Sequence, residues 1–188
     1  EREREAKAIY QPFQPEVRVP NLLVSEEKRF VDALSEGLRE SMYHHPELVI
    51  MGQDIADYGG VFKITEGMLE EFGESRIKNT PICESAIVGM GLGLSLEGIP
   101  SVVEMQFADF VSCAFNQIVY NLAKNHYRWG HAPNVVVRMP AGGGVGAGPF
   151  HSQTNESWFT QVPGLKVVYP ARPEDAKGLL CAAIQDPN

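Results

Sequence analysis

One carboxylate in this chain is distinguished by the segment that follows it. Glu84 stands at the start of a small and apolar stretch, residues 85–97, in which every second residue from Gly89 to Gly93 is glycine. Glycine lowers helix propensity, so this density in a predicted helix indicates close approach by another backbone or a ligand. A carboxyl group at the mouth of such a helix is poorly hydrated, which suits it to hold or share a proton near neutral pH. The alternative is a glutamate that only stabilises the helix through its macrodipole.

Two further candidates lie four residues apart after a predicted strand. Gln106 and Phe110 follow the apolar run at residues 101–103. Side chains that leave the carboxyl end of a strand line the crevice in which α/β proteins bind ligands. We therefore predict that both residues line a binding crevice. The alternative is a core aromatic ring and an amide that faces solvent.

A histidine follows a glycine-rich loop. The loop covers residues 141–150 and leads directly into His151. It is not typical of a phosphate-binding loop, because it lacks a Gly-Lys-Ser or Gly-Lys-Thr ending and no predicted helix opens from it. We predict a flexible active-site loop that presents an imidazole, a group suited to proton transfer and to polarising a substrate. Arg138 could bind a carboxylate or close a structural salt bridge, and we favour the salt bridge.

These residues are placed by a regular alternation of strands and helices. Strands are predicted at residues 48–51, 101–103, 135–137 and 166–169. Helices are predicted at residues 25–44, with Ser25 as the N-cap, and at residues 66–72, 85–97, 109–127 and 173–185. Strands that alternate with helices imply an α/β fold, in which a mostly parallel sheet carries helices on both faces.

Length and charge narrow the class of protein. A chain of 188 residues allows one well-cored domain, which we assign to residues 22–188, with residues 1–21 as a linker or arm. Because the chain does not begin with methionine, we expect it to come from a longer polypeptide. The formal net charge of −8 argues against a nucleic-acid partner. No apolar run reaches the roughly 20 residues that a membrane span needs.

The cysteines do not form a pattern typical of a disulfide framework or a metal site. The chain has three cysteines, an odd number, and they lie far apart in the sequence: Cys83, Cys113 and Cys181. Free cysteine is among the most frequently buried residue types. We therefore predict reduced thiols packed in the core of a cytosolic protein.

Several separated motifs together resemble one known family. Residues 79–86 read Asn-Thr-Pro-Ile-Cys-Glu-Ser-Ala and residues 104–110 read Glu-Met-Gln-Phe-Ala-Asp-Phe. Residues 150–153 read Phe-His-Ser-Gln and residues 163–168 read Pro-Gly-Leu-Lys-Val-Val. They resemble the pyrimidine-binding domain of thiamine-diphosphate enzymes, and in particular the beta subunit of 2-oxo acid dehydrogenases. The resemblance extends over residues 22–188 and implies a transketolase-like fold.

The resemblance implies a role for each candidate residue. In the family, the glutamate at the position of Glu84 hydrogen-bonds the aminopyrimidine of thiamine diphosphate and starts the chemistry. The aromatic residue at the position of Phe110 stacks on the pyrimidine, and residues at the positions of Gln106 and Ile82 lie in the same wall. The histidine at the position of His151 interacts with the 2-oxo acid or the acyl intermediate. Many relatives carry tyrosine in place of Phe110, and losing that hydroxyl removes a possible hydrogen bond.

The resemblance also implies an ion site, on a less specific match. Some relatives hold a monovalent cation such as K⁺ against backbone oxygens. The matching positions here are Val135, Ala183, Asp186 and Asn188.

The resemblance implies that the cofactor site is shared with another domain. The diphosphate and Mg²⁺ are held elsewhere in the family, through a Gly-Asp-Gly motif that this sequence lacks. The implied partners are an alpha subunit or a fused diphosphate-binding domain, in an alpha2-beta2 assembly, and a lipoyl acyltransferase. The family's carboxyl-terminal domain is not represented either. An isolated domain could form a homodimer through the apolar surface that its partner covers.

The implied reaction is decarboxylation of a 2-oxo acid followed by transfer of the acyl group to lipoamide. The motifs favour a branched-chain substrate over pyruvate. The implied location is the bacterial cytoplasm or, in a eukaryote, the mitochondrial matrix. The alternatives are a non-catalytic interaction fragment of the same fold and a transketolase-like or synthase fragment.

Overall fold

The fold is built on a small parallel sheet. The computed structural model describes residues 2–11 and 26–187. Its strands are β1 (Val49–Gly52), β2 (Ile77–Asn79), β3 (Ser101–Glu104) and β4 (Val135–Arg138). Their order in the sheet is β2-β1-β3-β4, and every neighbouring pair is parallel. The α/β class predicted from the sequence is confirmed.

Helices connect the strands and follow the last of them. They are α1 (Arg2–Ile9), α2 (Phe30–His44), α3 (Met68–Phe72), α4 (Glu84–Leu96), α5 (Ala123–Trp129), α6 (Ser157–Thr160) and α7 (Pro173–Gln185). Between β3 and α5 the chain forms a 3-10 segment, Ala108–Ala114, and a π-helical segment, Gln117–Leu122. A short 3-10 turn covers Gly143–Val145. Within the described residues, no helix has the length and apolar character that crossing a membrane requires.

Both faces of the sheet are covered, as predicted. Alternate residues of β1 show this, because Ile50 packs in the core beneath α2 and α7 whereas Met51 packs in the core beneath α4. On the outer layer, α2 approaches α7 so closely that a Cβ on Gly37 would lie 3.3 Å from the side chain of Lys177. Burial of a large apolar side chain such as Ile50 or Met51 contributes about 1.5–3 kcal/mol. The two layers fix the sheet between them.

Two strand assignments differ from the prediction. The strand β2 was not predicted because only Ile77 of its three residues is buried, which leaves no apolar pattern to detect. Conversely, residues 166–169 form no strand. Val167 packs against the core below α4, but Val168 and Tyr169 are exposed. A cavity of about 200 Å³ lies between this segment and β4, so the segment does not extend the sheet.

Two helix assignments also differ. The helix predicted over residues 109–127 is divided into the 3-10, π and α segments described above. Helix α2 begins at Phe30, where Arg29 occupies the N-cap position and pairs with Asp32 at 2.7 Å. Ser25, the predicted N-cap, lies outside the described residues.

Part of the predicted arm is helical. Residues of α1 are all accessible, and the helix is followed by Tyr10, whose hydroxyl donates to the Leu165 carbonyl at 3.3 Å. The Gly164 amide donates to the same hydroxyl oxygen at 3.3 Å. The predicted boundary between arm and domain at residues 21 and 22 falls on residues outside the described part. It stays a prediction.

The prediction of buried cysteines is wrong for two of the three. Cys83 and Cys113 are exposed, and Cys181 is half-buried beside Gly37 between α2 and α7. Cys83 is exposed because it occupies the N-cap position of α4, where the chain turns at the surface. Cys113 lies on the outer side of the 3-10 segment, whose buried residues are its neighbours Val111 and Ala114.

Candidate active site

The candidate residues gather at the carboxyl edge of the sheet. The last residues of three neighbouring strands, Gly52, Glu104 and Arg138, are in register with one another. The chain leaves β1 into Gln53 and leaves β3 towards Gln106. Ligands of open α/β sheets bind beyond the carboxyl ends of the strands. This edge is therefore the candidate active site.

Glu84 is the first residue of α4 and is buried, with 8% of its surface exposed. Its Oε1 accepts a hydrogen bond of 3.0 Å from Nε2 of Gln53, which is itself 5% exposed. A glutamate that only stabilised a helix end would need neither burial nor a buried side-chain partner. The arrangement therefore favours a site role for Glu84 over the macrodipole role alone.

Helix α4 is seated on the sheet through one of its glycines. A Cβ on Gly91 would lie 3.0 Å from the methyl carbons of both Val103 and Val135. The close approach at this position is made by side chains of the sheet, not by another backbone or a ligand as predicted. At Gly93 a Cβ would meet no atom of the described chain within 4 Å, and at Gly89 it would make ordinary contact with Gln117. Gly91 thus sets the distance between the sheet and the helix that carries Glu84.

The turn that follows β1 and carries Gln53 also holds Gln106. Its Nε2 donates to Oδ2 of Asp54 at 3.0 Å. Asp54 directly follows Gln53 and has a φ of +56°, in the left-handed region. One turn after β1 therefore contacts both Glu84 and Gln106, which brings these two predicted residues together.

Phe110 and His151 meet in an aromatic cluster. His151 packs edge-on against Phe107 and Phe110, with ring centroids 4.8 and 5.4 Å apart respectively. Phe107 also packs edge-on against Phe62, at 5.7 Å. The structure thus brings the predicted histidine from its glycine-rich loop to the predicted stacking residue. Edge-to-face contacts of this kind contribute about 0.5–1.5 kcal/mol each.

The loop that carries His151 is joined to the 3-10 segment after β3. The backbone amide of Gln153 donates to the carboxylate of Asp109 at 3.3 Å, and the backbone amide of Gly142 donates to the backbone carbonyl of Gln153 at 3.2 Å. A buried amide, Asn155 Nδ2, donates to the Ala108 carbonyl at 2.8 Å. These bonds fix the base of the loop.

Arg138 forms the salt bridge that the sequence analysis favoured. Its guanidinium pairs with the carboxylate of Glu104, and the two side chains are 10% and 6% exposed. Nε of Arg138 has no hydrogen-bond partner among the described residues. Burial of both charges means that each depends on the other. The pair connects β3 to β4 beside the candidate site.

Ile82 and the predicted ion ligands make none of the hydrogen bonds or ring contacts described above. Ile82 is 84% exposed. Val135, Ala183 and Asp186 line the cavity of about 200 Å³ beside β4, and the Asp186 carboxylate pairs with Lys166. Asn188 lies outside the described residues, among which no group of three potential metal-ligating side chains occurs. The cation site stays a prediction.

The sequence analysis missed Gln53 and Asp54. Both directly follow a buried strand, which is the position where α/β proteins place ligand-contacting residues. That signal was available, but the loop after β1 has no motif that singles them out. The left-handed backbone at Asp54 has only a weak sequence signal, because aspartate is enriched in that conformation but occupies others far more often.

The chain belongs to the transketolase pyrimidine-binding domain family, whose model matches residues 26–188. Among curated proteins it is 45% identical over 159 residues to the 2-oxoisovalerate dehydrogenase subunit beta of Bacillus subtilis, covering 84% of this chain and 49% of that protein. It is 44% identical to the mitochondrial 2-oxoisovalerate dehydrogenase subunit beta 2 of Arabidopsis thaliana, covering 83% and 44%. A chloroplastic pyruvate dehydrogenase E1 component subunit beta-3 from the same plant is 43% identical, covering 84% and 39%.

The comparisons define the chain as a 2-oxo acid dehydrogenase beta-like domain. It spans about half the length of the first curated relative, 49%. A solved split-gene transketolase, an inactive beta4 tetramer, matches with a TM-score of 0.65 at 20% identity, over 83% of this chain and 47% of that one. That likeness shows the fold alone. The family prediction and the transketolase-like fold are confirmed.

Proposed function

We propose that this chain supplies the pyrimidine-binding half of a thiamine-diphosphate-dependent 2-oxo acid dehydrogenase. The observation that carries the proposal is the buried carboxylate of Glu84, oriented by Gln53 at the carboxyl edge of the sheet. The beta-subunit relatives support the class of reaction. Because the chain spans only part of those relatives, the activity is assigned to the complete protein.

The residues present fit an aminopyrimidine. Such a ring has flat apolar faces and a polar edge, so it needs an aromatic or apolar wall and one acid at a ring nitrogen. The half-buried rings of Phe107 and Phe110 provide the wall, and Glu84 provides the acid. Gln106 adds an amide whose orientation is fixed by Asp54. When bound, thiamine diphosphate supplies a carbon nucleophile and accepts the negative charge left when CO2 departs.

The chain's own residues bind, orient and exchange protons. Glu84 would share a proton with the ring nitrogen of the pyrimidine, in a site from which its burial excludes water. Phe110 would pack on the ring, and Gln106 would fix its orientation. His151 would donate to or polarise the oxygen of the 2-oxo acid, since an imidazole can exist in either protonation state near neutral pH.

The remaining parts of the site belong to other domains. The proposed partners are an alpha subunit or fused domain that holds the diphosphate and Mg²⁺, and a lipoyl acyltransferase that accepts the acyl group. A K⁺ ion at the backbone oxygens of Val135, Ala183, Asp186 and Asn188 is a weaker part of the proposal. The proposed compartment is the bacterial cytoplasm or the mitochondrial matrix.

The proposed substrate is a branched-chain 2-oxo acid. The motifs around Gln106 and His151 support this choice. The identities do not separate the two substrate classes, because the branched-chain relatives are 45% and 44% identical and the pyruvate relative is 43% identical. Pyruvate is therefore the alternative that the experiment must test.

The test is 2-oxo acid decarboxylation by the full-length protein with its diphosphate-binding partner. Glu84→Gln keeps the size of the side chain but cannot share a proton, so we expect a loss of about 10²-fold or more in rate. Glu97→Gln, at the exposed end of the same helix, is the matched control and should retain the wild-type rate.

The substrate comparison separates the remaining outcomes. A higher kcat/KM for 2-oxoisovalerate than for pyruvate supports the branched-chain proposal, and the reverse order overturns it while keeping the mechanism. Equal rates for Glu84→Gln and wild type would remove Glu84 from the chemistry. An assembled wild-type complex that binds thiamine diphosphate but acts on neither acid would favour the non-catalytic alternative.

A further inference from the structure

Two adjacent residues of one turn hold two of the proposed cofactor-binding side chains. Gln53 donates from Nε2 to Oε1 of Glu84, and Asp54 accepts at Oδ2 from Nε2 of Gln106, both at 3.0 Å. Glu84 and Gln106 come from different elements, α4 and the segment after β3. Their relative position therefore depends on the turn between β1 and the following loop.

The backbone of this turn is held in an uncommon conformation. Asp54 has a φ of +56°, a left-handed conformation that few non-glycine residues adopt and that persists only where the surroundings determine it. Those surroundings are visible. The Gly60 amide donates to the backbone carbonyl of Asp54 at 2.8 Å, and the backbone amide of Thr80 donates to the Gly52 carbonyl at 2.9 Å. The Ala56 amide donates to Oδ1 of Asn79, also at 2.8 Å.

The bond between Thr80 and Gly52 has a particular consequence. Thr80 lies four residues before Glu84, so it ties the segment that leads into α4 to the end of β1. The position of Glu84 is thus set from both ends, by the backbone before it and by the side chain of Gln53. The first contact holds the backbone that leads to Glu84, and the second holds its carboxylate.

The type of side chain at Gln53 decides which oxygen of Glu84 can act. A glutamine amide donates a hydrogen bond but does not titrate. Its N–H donates to Oε1 and so holds the carboxylate in one orientation, with Oε2 as the oxygen that does not receive this bond. Without a fixed donor, the carboxylate would have to reach the reactive orientation anew in each reaction.

We propose that Gln53 and Asp54 are positioning residues of the pyrimidine site. Gln53 selects Oε2 of Glu84 as the oxygen that faces the ring, and Asp54 fixes the amide of Gln106 against the same ring. The inference rests on the proposed function, since it needs an aminopyrimidine as the ligand. Neither residue exchanges a proton with the cofactor or the substrate in this proposal.

The test uses the full-length protein with its diphosphate-binding partner and two readouts. The first is the Kd for thiamine diphosphate by titration calorimetry. The second is the rate at which the cofactor's C2 proton exchanges with deuterium in the saturated complex, followed by NMR. Gln53→Met preserves the shape and removes the donor, so we expect each readout to worsen about tenfold. Gln161→Met, at an exposed glutamine, is the matched control.

A double-mutant cycle separates positioning from a general structural effect. In a Glu84→Met background the donor of Gln53 has no acceptor at position 84, so Gln53→Met should change the Kd by no more than about twofold. Asp54→Asn keeps an acceptor and tolerates the left-handed backbone, and it should retain most of the cofactor affinity that Asp54→Ala loses. Melting temperatures of all variants identify any that fail to fold.

The two proposals can fail separately. Wild-type protein that binds no thiamine diphosphate would overturn the proposed function. Wild-type protein that binds it, with Kd and exchange rate unchanged in a folded Gln53→Met variant, would overturn the positioning role alone. The same tenfold loss in both the wild-type and Glu84→Met backgrounds would also overturn it, because the effect would not then pass through Glu84.

Discussion

Adding one methyl group to α4 should have opposite effects on stability at two glycines that lie two residues apart, Gly91 and Gly93. At Gly91 an added Cβ would lie 3.0 Å from methyl carbons of Val103 and Val135 and 3.1 Å from the hydroxyl of Ser101. Favourable carbon contacts need roughly 3.5–4.0 Å, so α4 would have to move outwards by about 0.5 Å or more. At Gly93 the same methyl group would meet no atom of the described chain within 4 Å.

The magnitudes follow from these distances. Overpacking of this kind costs about 1–3 kcal/mol, and the gain in helix propensity offsets roughly 0.5–1 kcal/mol of it. We therefore expect Gly91→Ala to lower the free energy of unfolding, by up to about 2.5 kcal/mol. Gly93→Ala, which has the gain without the contact, should raise it by about 0.5–1 kcal/mol.

Urea and thermal unfolding of the two variants and the wild type measure this difference. For a domain of this size, 1 kcal/mol corresponds to roughly 2–4 °C in melting temperature, so the two variants should lie well apart. Since an outward shift of α4 carries Glu84 with it, Gly91→Ala should also weaken thiamine diphosphate binding. Two alanine variants with the same melting temperature would refute the packing argument, and so would a stabilised Gly91→Ala.

Two further predictions concern charged pairs. Arg138→Met leaves the buried carboxylate of Glu104 unpaired, so chemical denaturation should show a loss of about 3–5 kcal/mol, and adding Glu104→Gln should recover much of it. No recovery would mean that the two charges are not coupled. The hydrogen bond from Lys28, together with Lys177, holds the pKa of Glu36 below its ordinary value of 4.5. Glu36→Gln should therefore lower stability by less than about 1 kcal/mol at pH 7, because the site is partly exposed, and the difference should vanish as pH falls through the folded-state pKa. A difference that grows on acidification would contradict this sign.

The sequence predicted the parts of the fold whose burial repeats along the chain. The strands β1 and β3 are buried throughout and β4 is a half-buried run of valines, and their apolar residues pack into a core on each face of the sheet, so their signal is strong. The edge strand β2 is recognisable only from its pairing with β1, since one buried Ile77 has no periodicity. Residues 166–169 have the apolar composition of a strand, yet only tertiary packing decides whether such a segment reaches the sheet.

The site was predictable to the extent that its side chains have distinctive neighbours. Glu84 was found from the glycines that follow it, and His151 from the loop that precedes it. Gln53 and Asp54 were not found, because what distinguishes them is a left-handed backbone and two hydrogen bonds to residues at least 31 positions away in sequence. Contacts over such a distance depend on the assembled sheet rather than on local spacing.

The contrast between Glu84 and its neighbours bears on the proposed partner domain. Glu84 is 8% exposed, whereas Ile82, two residues earlier, is 84% exposed. Phe150, beside His151, is 73% exposed as well. Large apolar side chains left exposed close in sequence to a buried acid and to His151 are what a site closed by a second domain would present. The exposed Ile82 is therefore consistent with its predicted place in the cofactor wall, and it supports a site that this chain forms only in part.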